Sequence, residues 1–181
     1  SQHELKKINL FGICQGGTFS ACYAALCPQK VRNLITTVTP IDFHTKHDML
    51  SHFFRGVDVD ALVDSEGNIS GDLMNYIFLS LKPFRLGQQK YVEMVHQADS
   101  REAIEMFKRM EYWIFDSPDL AGEAFRQFAK QFYQENLLIK AQAKIGDRRV
   151  NLANLTMPVL NIYASDDHLV PPAASKALGE Y

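Results

Sequence analysis

A cysteine stands where this chain is shaped to present a nucleophile. Gly12-Ile13-Cys14-Gln15-Gly16 follows the pattern G-x-S-x-G with sulfur in place of the hydroxyl. That pattern describes a strand turning sharply into a helix, with the middle residue on a strained corner and its side chain lifted clear of the backbone. Small neighbours let strand and helix approach closely enough for the turn. A helix N-terminus at Cys14 matters twice. Its dipole favours thiolate over thiol, and free N–H groups, that of Gln15 foremost, can donate to an oxyanion. The bland alternative is a buried cysteine in a glycine-rich turn at a mononucleotide site. The chain has neither G-x-G-x-x-G nor G-K-[ST], which argues against phosphate-loop readings.

Such a nucleophile needs a base to take its proton and an acid to orient the base. On this elbow the chain order is nucleophile, acid, histidine, with the acid just past the carboxyl end of a later strand. Asp166 and Asp167 both follow the apolar run Met157–Ala164. Asp167, in the turn before the next helix, is the preferred acid, and Asp166 suits the ordinary role of Asp in capping or bonding a turn. The histidine is the difficulty. His3 precedes the elbow strand, His44, His47, His52 and His96 lie mid-chain, and His168 adjoins the acid too closely to serve it. Surface or capping roles suit all six, and His44 or His47 could lie near the pocket. The strand that supplies a second oxyanion donor also has no counterpart ahead of the elbow. Both gaps are those expected of the middle of a longer protein.

Positioning the corner takes a strand, Lys7 to Ile13, and a helix from about Gly16 lined with Ser20, Ala21, Ala24 and Ala25. Pro28 punctuates, and the β-branched density of Val31–Thr39 marks a second strand, buried and parallel to the first. Strand, helix, strand is a βαβ unit, so a doubly wound α/β architecture is expected. Met157–Ala164 reads as a third strand, and Pro171-Pro172 opens a further helix. The stretch from Thr39 to Met157 far exceeds the dozen or so residues a crossover needs. Residues 41–153 are therefore read as a helical lid, and 1–40 with 154–181 as the core.

Within that lid, Asp64–Gly71 reads as a turn-rich loop and Asp72–Leu81 as an apolar helix. Asp99–Glu102 reads as a capping signal for a helix carrying Ile104, Phe107 and Met110 on one side. Ser117-Pro118 opens another, with Leu120, Ala121, Ala124, Phe125, Phe128 and Phe132 at helical spacing. Lys144–Leu155 reads as a short strand or extended return. The phenylalanine stripe suits core packing first, though a lid so aromatic could also line an acyl channel or form a dimer face.

Composition narrows the classes. The 181 residues are 46% hydrophobic and 22% charged, enough for a real core, and a formal charge of −2 argues against a nucleic-acid binder. No apolar run reaches membrane-spanning length, and the polar start Ser1–Lys7 is unlike a secretory leader. Three cysteines, Cys14, Cys22 and Cys27, fit neither a disulfide framework nor C-x-x-C metal spacing. Cys22 and Cys27 suit small apolar fillers, and a reducing cytoplasm is expected.

Beyond the elbow, Val38–Phe43, Asn75–Phe78 with Leu81–Phe84, Glu111–Phe115 and Tyr163–Pro171 together resemble the polyhydroxyalkanoate synthases, along essentially the whole chain. Gln15 in the elbow makes it most similar to the catalytic subunit of the two-subunit (class III) enzymes. The resemblance implies a partial α/β-hydrolase core with a helical lid. It implies that Cys14 is acylated by (R)-3-hydroxyacyl-CoA and that Asp167 is the triad acid. The family histidine would lie beyond Tyr181. No cofactor is implied, since the CoA thioester is substrate. A second synthase subunit, a homodimer through the lid and a place on polyester granules in the cytoplasm are implied as partners and location. Sulfur suits the chemistry, because thioester-to-thioester exchange keeps the acyl group activated, and a dry lid would guard it from water. Two alternatives stay open: a cysteine hydrolase such as an acyl-CoA thioesterase, or an inactive piece acting only by association. For the 181 residues alone, inactivity is the expectation. Lys46, Arg55, Lys82, Arg85 and Lys90 could meet CoA phosphates, although solvated surface charge explains each as well.

Overall fold

The computed structural model describes residues 5–96 and 98–181, so His3 lies outside the described residues. Strands β1 (Ile8–Ile13) and β2 (Val31–Thr37) are parallel, as the βαβ reading requires. Helix α1 (Gln15–Leu26) joins them and buries Ala21, Cys22, Ala24 and Ala25, side chains small enough for the helix to lie close on the sheet. The third parallel strand, Val159–Ile162, pairs with β2, so β2 is central. Ile13, Thr37 and Ile162 stand level at the carboxyl end. Val31 and Leu34 of β2 are fully buried, whereas Phe11 and Ile13 of β1 are 57% and 56% exposed.

The chain divides into two compact units. One joins the segment through Val57 to Phe128–Tyr181, and the other is Asp58–Gln127. Ile41, Phe43, Phe128 and Phe132 belong to the core of the first. In that unit α2 (Met49–Phe54) is capped by Asp48, whose carboxylate accepts the Ser51 N–H at 2.9 Å.

The second unit holds α3 (Val59–Glu66), α4 (Gly71–Leu81), α5 (Lys90–His96) and α6 (Arg101–Phe115). Asp58, Ser70 and Ser100 cap α3, α4 and α6 through their side-chain oxygens. Helix α3 runs through Glu66, so Asp64–Glu66 is helical rather than loop. Helix α7 (Gly122–Phe128) begins later than Ser117-Pro118 suggests. The reason is tertiary. Leu120 is taken by a backbone bridge to Ile69, and Ser117 Oγ donates back to the Ile114 carbonyl instead of capping forward. Arg126 then ties α7 to α3 through Asp60 and Asp64.

After α7 the backbone widens into a π-helical turn, Ala129–Gln134, closed by buried Asn136 at φ 51°. Asn136 receives the Phe43 N–H and donates to Asp42, pinning the turn to the segment after β2. The expected return at Lys144–Leu155 is a minimal hairpin, β3 (Lys144–Ile145) with β4 (Arg148–Arg149), followed by a 3-10 turn at Leu152–Asn154. The strand Val159–Ile162 is then β5, and α8 (Pro172–Lys176) starts on proline as the sequence indicates. Among the described residues, no helix is long and apolar enough to cross a membrane.

Asp48 makes a testable case of pH-dependent stability. Burial pushes its carboxyl up to about 6, against the opposing Ser51 N–H and the neighbouring His52 and Arg55. A folded pKa above the unfolded one means stability is full below the unfolded value and is lost as pH rises through about 6. The ionised cap then costs roughly 2–3 kcal/mol at neutral pH. Asp48→Asn keeps an acceptor for Ser51 and removes the charge. Denaturant melts of the full-length protein should show the variant gaining on the parent between pH 4 and 7, with equal stability near pH 4. A parallel pair of curves would show that the buried charge carries no penalty.

Candidate active site

The elbow forms because β1 delivers its last residue directly into α1. The Cys14 N–H still donates to Thr37 O at 2.8 Å, as part of the sheet, while Cys14 O already accepts the Gly17 N–H at 2.9 Å, as the start of the helix. Serving both elements forces Cys14 to φ 51°, ψ −126°, a region an L-residue enters at a cost of about 1–3 kcal/mol.

Close approach rests on two glycines, and one of them lies outside the five-residue pattern. A Cβ on Gly12 would sit 2.6 Å from Gly16 O and from Gly17 Cα. On Gly17 it would sit 1.8 Å from Thr39 Oγ1, whereas on Gly16 it would meet nothing within 4 Å. Thr39 is fully buried, and its carbonyl accepts from Ser175 Oγ at 2.8 Å. Asn161 of β5 donates to Ser175 O and accepts from Thr36 Oγ1, so β2, β5 and α8 are tied together beside the elbow.

Cys14 follows β1 and the aspartates follow β5, with β2 between them. That separates the two strand ends by roughly 10 Å, which the loop after β5 must recover. From that loop the Asp167 charge acts on the Cys14 thiol. Asp167 Oδ1 accepts the N–H groups of Leu169 and Val170, both at 2.9 Å, which fixes the carboxylate in the turn. Asp166 instead takes the hydroxyl of its neighbour Ser165 at 3.2 Å.

The thiol is held above its ordinary pKa. The atoms packed around the corner push it up although the residue itself is exposed to solvent, the Gln15 N–H pulls it down, and the Asp167 charge pushes it up again. The helix end therefore acts in the expected direction through Gln15 but is outweighed. A thiol of this kind stays protonated near neutrality and depends on a base. Replacing the acid should accordingly ease ionisation: in the 181-residue chain, Asp167→Asn is expected to move the pH midpoint of Cys14 alkylation downward. An upward or absent shift would place the Asp167 charge elsewhere. Cys22, by contrast, is buried in the core with its thiol pushed up to about 12, and is inert.

Two of the four mid-chain histidines are engaged elsewhere. His44 donates from Nε2 to the Tyr133 carbonyl at 2.9 Å, and His52 lies between the Lys46 carbonyl and Arg55. Among the described residues, neither is hydrogen-bonded to Cys14 or Asp167. Tyr133 belongs to the ring cluster of Phe43, Phe54 and Phe128, and sequence patterns did not single it out. Burial pushes its phenol far up, and the charges of Asp48 and Cys14 add to that. Its only signal in the sequence is a place directly after Phe132 in the aromatic stripe. Among the described residues, no cluster of three or more His, Cys, Asp and Glu could hold a metal ion.

Comparison with known proteins places the chain in a family. A family model described as the alpha/beta hydrolase fold matches residues 1–181. The poly(3-hydroxyalkanoate) polymerase subunit PhaC of Thiocystis violacea is 56% identical over 99% of this chain and 50% of its own length. The protein of the same name from Allochromatium vinosum is 56% identical over 97% of this chain and 50% of its own. That from Synechocystis sp. is 54% identical over 100% and 49%. The chain thus spans about half the length of the curated relatives it matches. It belongs to the alpha/beta hydrolase family, with sulfur at the corner where the family's elbow ordinarily carries oxygen.

Proposed function

We propose that the full-length protein is a polyhydroxyalkanoate synthase subunit, an acyltransferase that polymerises (R)-3-hydroxyacyl-CoA, such as 3-hydroxybutyryl-CoA, and releases CoA. The observation that carries this reading is a cysteine on a strained elbow within reach of the Asp167 charge, in a chain more than half identical to named polymerase subunits. In this reading the Cys14 sulfur attacks the thioester carbonyl. The Gln15 N–H donates to the oxyanion, and the C–S bond to CoA breaks as the new C–S bond to Cys14 is kept. The CoA sulfur leaves with the proton that the base took from Cys14. Asp167 orients that base, a histidine supplied from outside these 181 residues. The hydroxyl of another hydroxyacyl unit then attacks the Cys14 thioester and passes its proton through the base to the cysteine sulfur, as the ester C–O bond forms and the C–S bond to Cys14 breaks. The helical lid, read as 41–153, keeps water from the acyl-enzyme. A second synthase subunit, a homodimer and the surface of a cytoplasmic polyester granule complete the proposal.

The test supplies the full-length protein, alone and with its partner subunit, with 3-hydroxybutyryl-CoA while free CoA and insoluble polyester are followed together. CoA release with polyester is the expected result. CoA release with only free hydroxy acid would make the protein a thioesterase instead.

A further inference from the structure

One residue after β2 the backbone bends in a way its own side chain opposes. Val38 stands at φ 45°, in the left-handed region that branched residues enter only where their surroundings dictate it. The bonds around it supply the reason. The Thr37 carbonyl accepts the Cys14 N–H at 2.8 Å, and the Val38 N–H donates to Ile162 O at 2.8 Å. Beyond the bend, Pro40 O accepts from Thr18 Oγ1 of α1 at 2.8 Å, and Thr39 Oγ1 turns back to Thr37 O at 3.2 Å. Residues 37–40 are thus bonded to the nucleophile corner, to α1 and to the end of β5.

The loop that carries Asp167 is tied to this same stretch of chain at both ends. It leaves β5 at Ile162, which Val38 holds, and it enters α8 at Pro172. Helix α8 has 5 residues, too few to keep its place by its own hydrogen bonds. It is held from outside instead. Ala174 O accepts the N–H groups of Ile41 and Asp42 at 3.0 and 3.2 Å, and Ser175 Oγ donates to Thr39 O at 2.8 Å. Asn161 Nδ2 donates to Ser175 O at 2.8 Å, while Asn161 Oδ1 accepts from Thr36 Oγ1 at 3.0 Å. Thr36, Thr39 and Ser175 are fully buried, and a buried network whose members are satisfied fixes one arrangement. From the Ser175 hydroxyl, hydrogen bonds run through Thr39 and Thr37 to the Cys14 N–H.

Resting on the acyltransferase reading above, in which Asp167 orients the base, we propose that Ser175 is a positioning residue acting through Asp167: its hydroxyl seats α8 on the bend after β2 and so holds the acid loop in a fixed place relative to Cys14. Reacting groups tolerate little error, and a displacement of about 1 Å caused far from the chemistry costs about a hundredfold in rate.

The test uses the full-length protein with its partner subunit and 3-hydroxybutyryl-CoA. Ser175→Ala should lower kcat for CoA release by about tenfold or more and leave KM within about twofold, since Ser175 touches no substrate in this reading. Val150→Ala, a fully buried truncation elsewhere in the same core, should lower the melting temperature at least as much yet keep kcat within about twofold. Exposed Cys14 also allows a readout that needs no turnover, its alkylation by iodoacetamide, followed on the Cys14 peptide by mass spectrometry. Ser175→Ala should shift that rate in the direction that Asp167→Asn does, and the double variant should match Asp167→Asn alone to within about twofold. A Ser175→Ala protein with the parent's kcat overturns the proposal and leaves the acyltransferase reading standing. So does a Val150→Ala protein that loses kcat in step with its melting temperature, or a Ser175→Ala effect on alkylation that multiplies with that of Asp167→Asn, because packing alone would then explain the serine. A parent that releases no CoA removes the acyltransferase reading, and this inference with it.

Discussion

Cys14→Gly should destroy turnover and, at the same time, make the protein more stable. The first half follows from covalent chemistry: with the nucleophile gone, what remains is binding and the oxyanion donor. Losses of about 10³- to 10⁶-fold accompany removal of such a group elsewhere. The second half follows from the backbone. At φ 51°, ψ −126° any side chain is strained, and glycine occupies positive φ without that cost. The strain of about 1–3 kcal/mol exceeds what glycine loses in unfolded-state entropy, so a net gain of about 1 kcal/mol is expected. Cys14→Ala is the comparison. It removes the sulfur but keeps a Cβ, so turnover should vanish while stability stays near that of the parent. CoA release and denaturant melts on the three full-length proteins check both halves. A glycine variant no more stable than the alanine variant would show that the corner stores no strain, and the elbow would lose its energetic signature.

The second large effect separates two adjacent glycines. Gly17→Ala would place a Cβ 1.8 Å from Thr39 Oγ1 and 2.8 Å from Thr39 Cβ. Thr39 is completely buried and its carbonyl is held by Ser175, so it has little room to yield. Overpacking at so rigid a contact is expected to cost about 3 kcal/mol or more and to displace α1 from the sheet, taking the Gln15 N–H with it. Gly16→Ala meets nothing within 4 Å and should be neutral or gain up to about 1 kcal/mol from helix propensity. Combining Gly17→Ala with Thr39→Ala removes the nearest atom and should recover part of the loss, leaving a positive coupling in a double-mutant cycle. Melting temperatures of the four proteins check this. Equal tolerance at both positions would mean that α1 is free to shift, and Thr39 would not be the constraint.

These two cases show how far the sequence reaches. The spacing of Gly12, Cys14 and Gly16 identified the elbow, yet the glycine under the greatest steric demand is Gly17, because its neighbour Thr39 arrives from the end of β2. The aspartates were likewise adjacent and equal in composition. Their different tasks come from the turn, which hands two N–H groups to Asp167 and leaves Asp166 to Ser165. Ser117-Pro118 carried a sound local signal for a helix start, but the Ile69–Leu120 bridge competes for that backbone and delays the helix to Gly122. Periodicity placed Phe128 and Phe132 on a buried face correctly. It had no means of marking Tyr133, whose ring packs against Phe43, Phe54 and Phe128 from segments far apart along the chain.

By itself, the sequence determined the strand–corner–helix around Cys14, the parallel βαβ unit, the acid-bearing loop after the third strand and the helical character of the long middle segment. All of these are written in local terms: glycine permissiveness, β-branched runs, helical spacing and capping side chains. Only the tertiary structure decided that the Cys14 thiol is held up rather than down, that the Asp167 charge acts on it, and that the Asp48 carboxyl is buried. Burial and charge act through space, and the groups responsible come from segments far apart along the chain. Their effect on a thiol exists only once those segments are packed together.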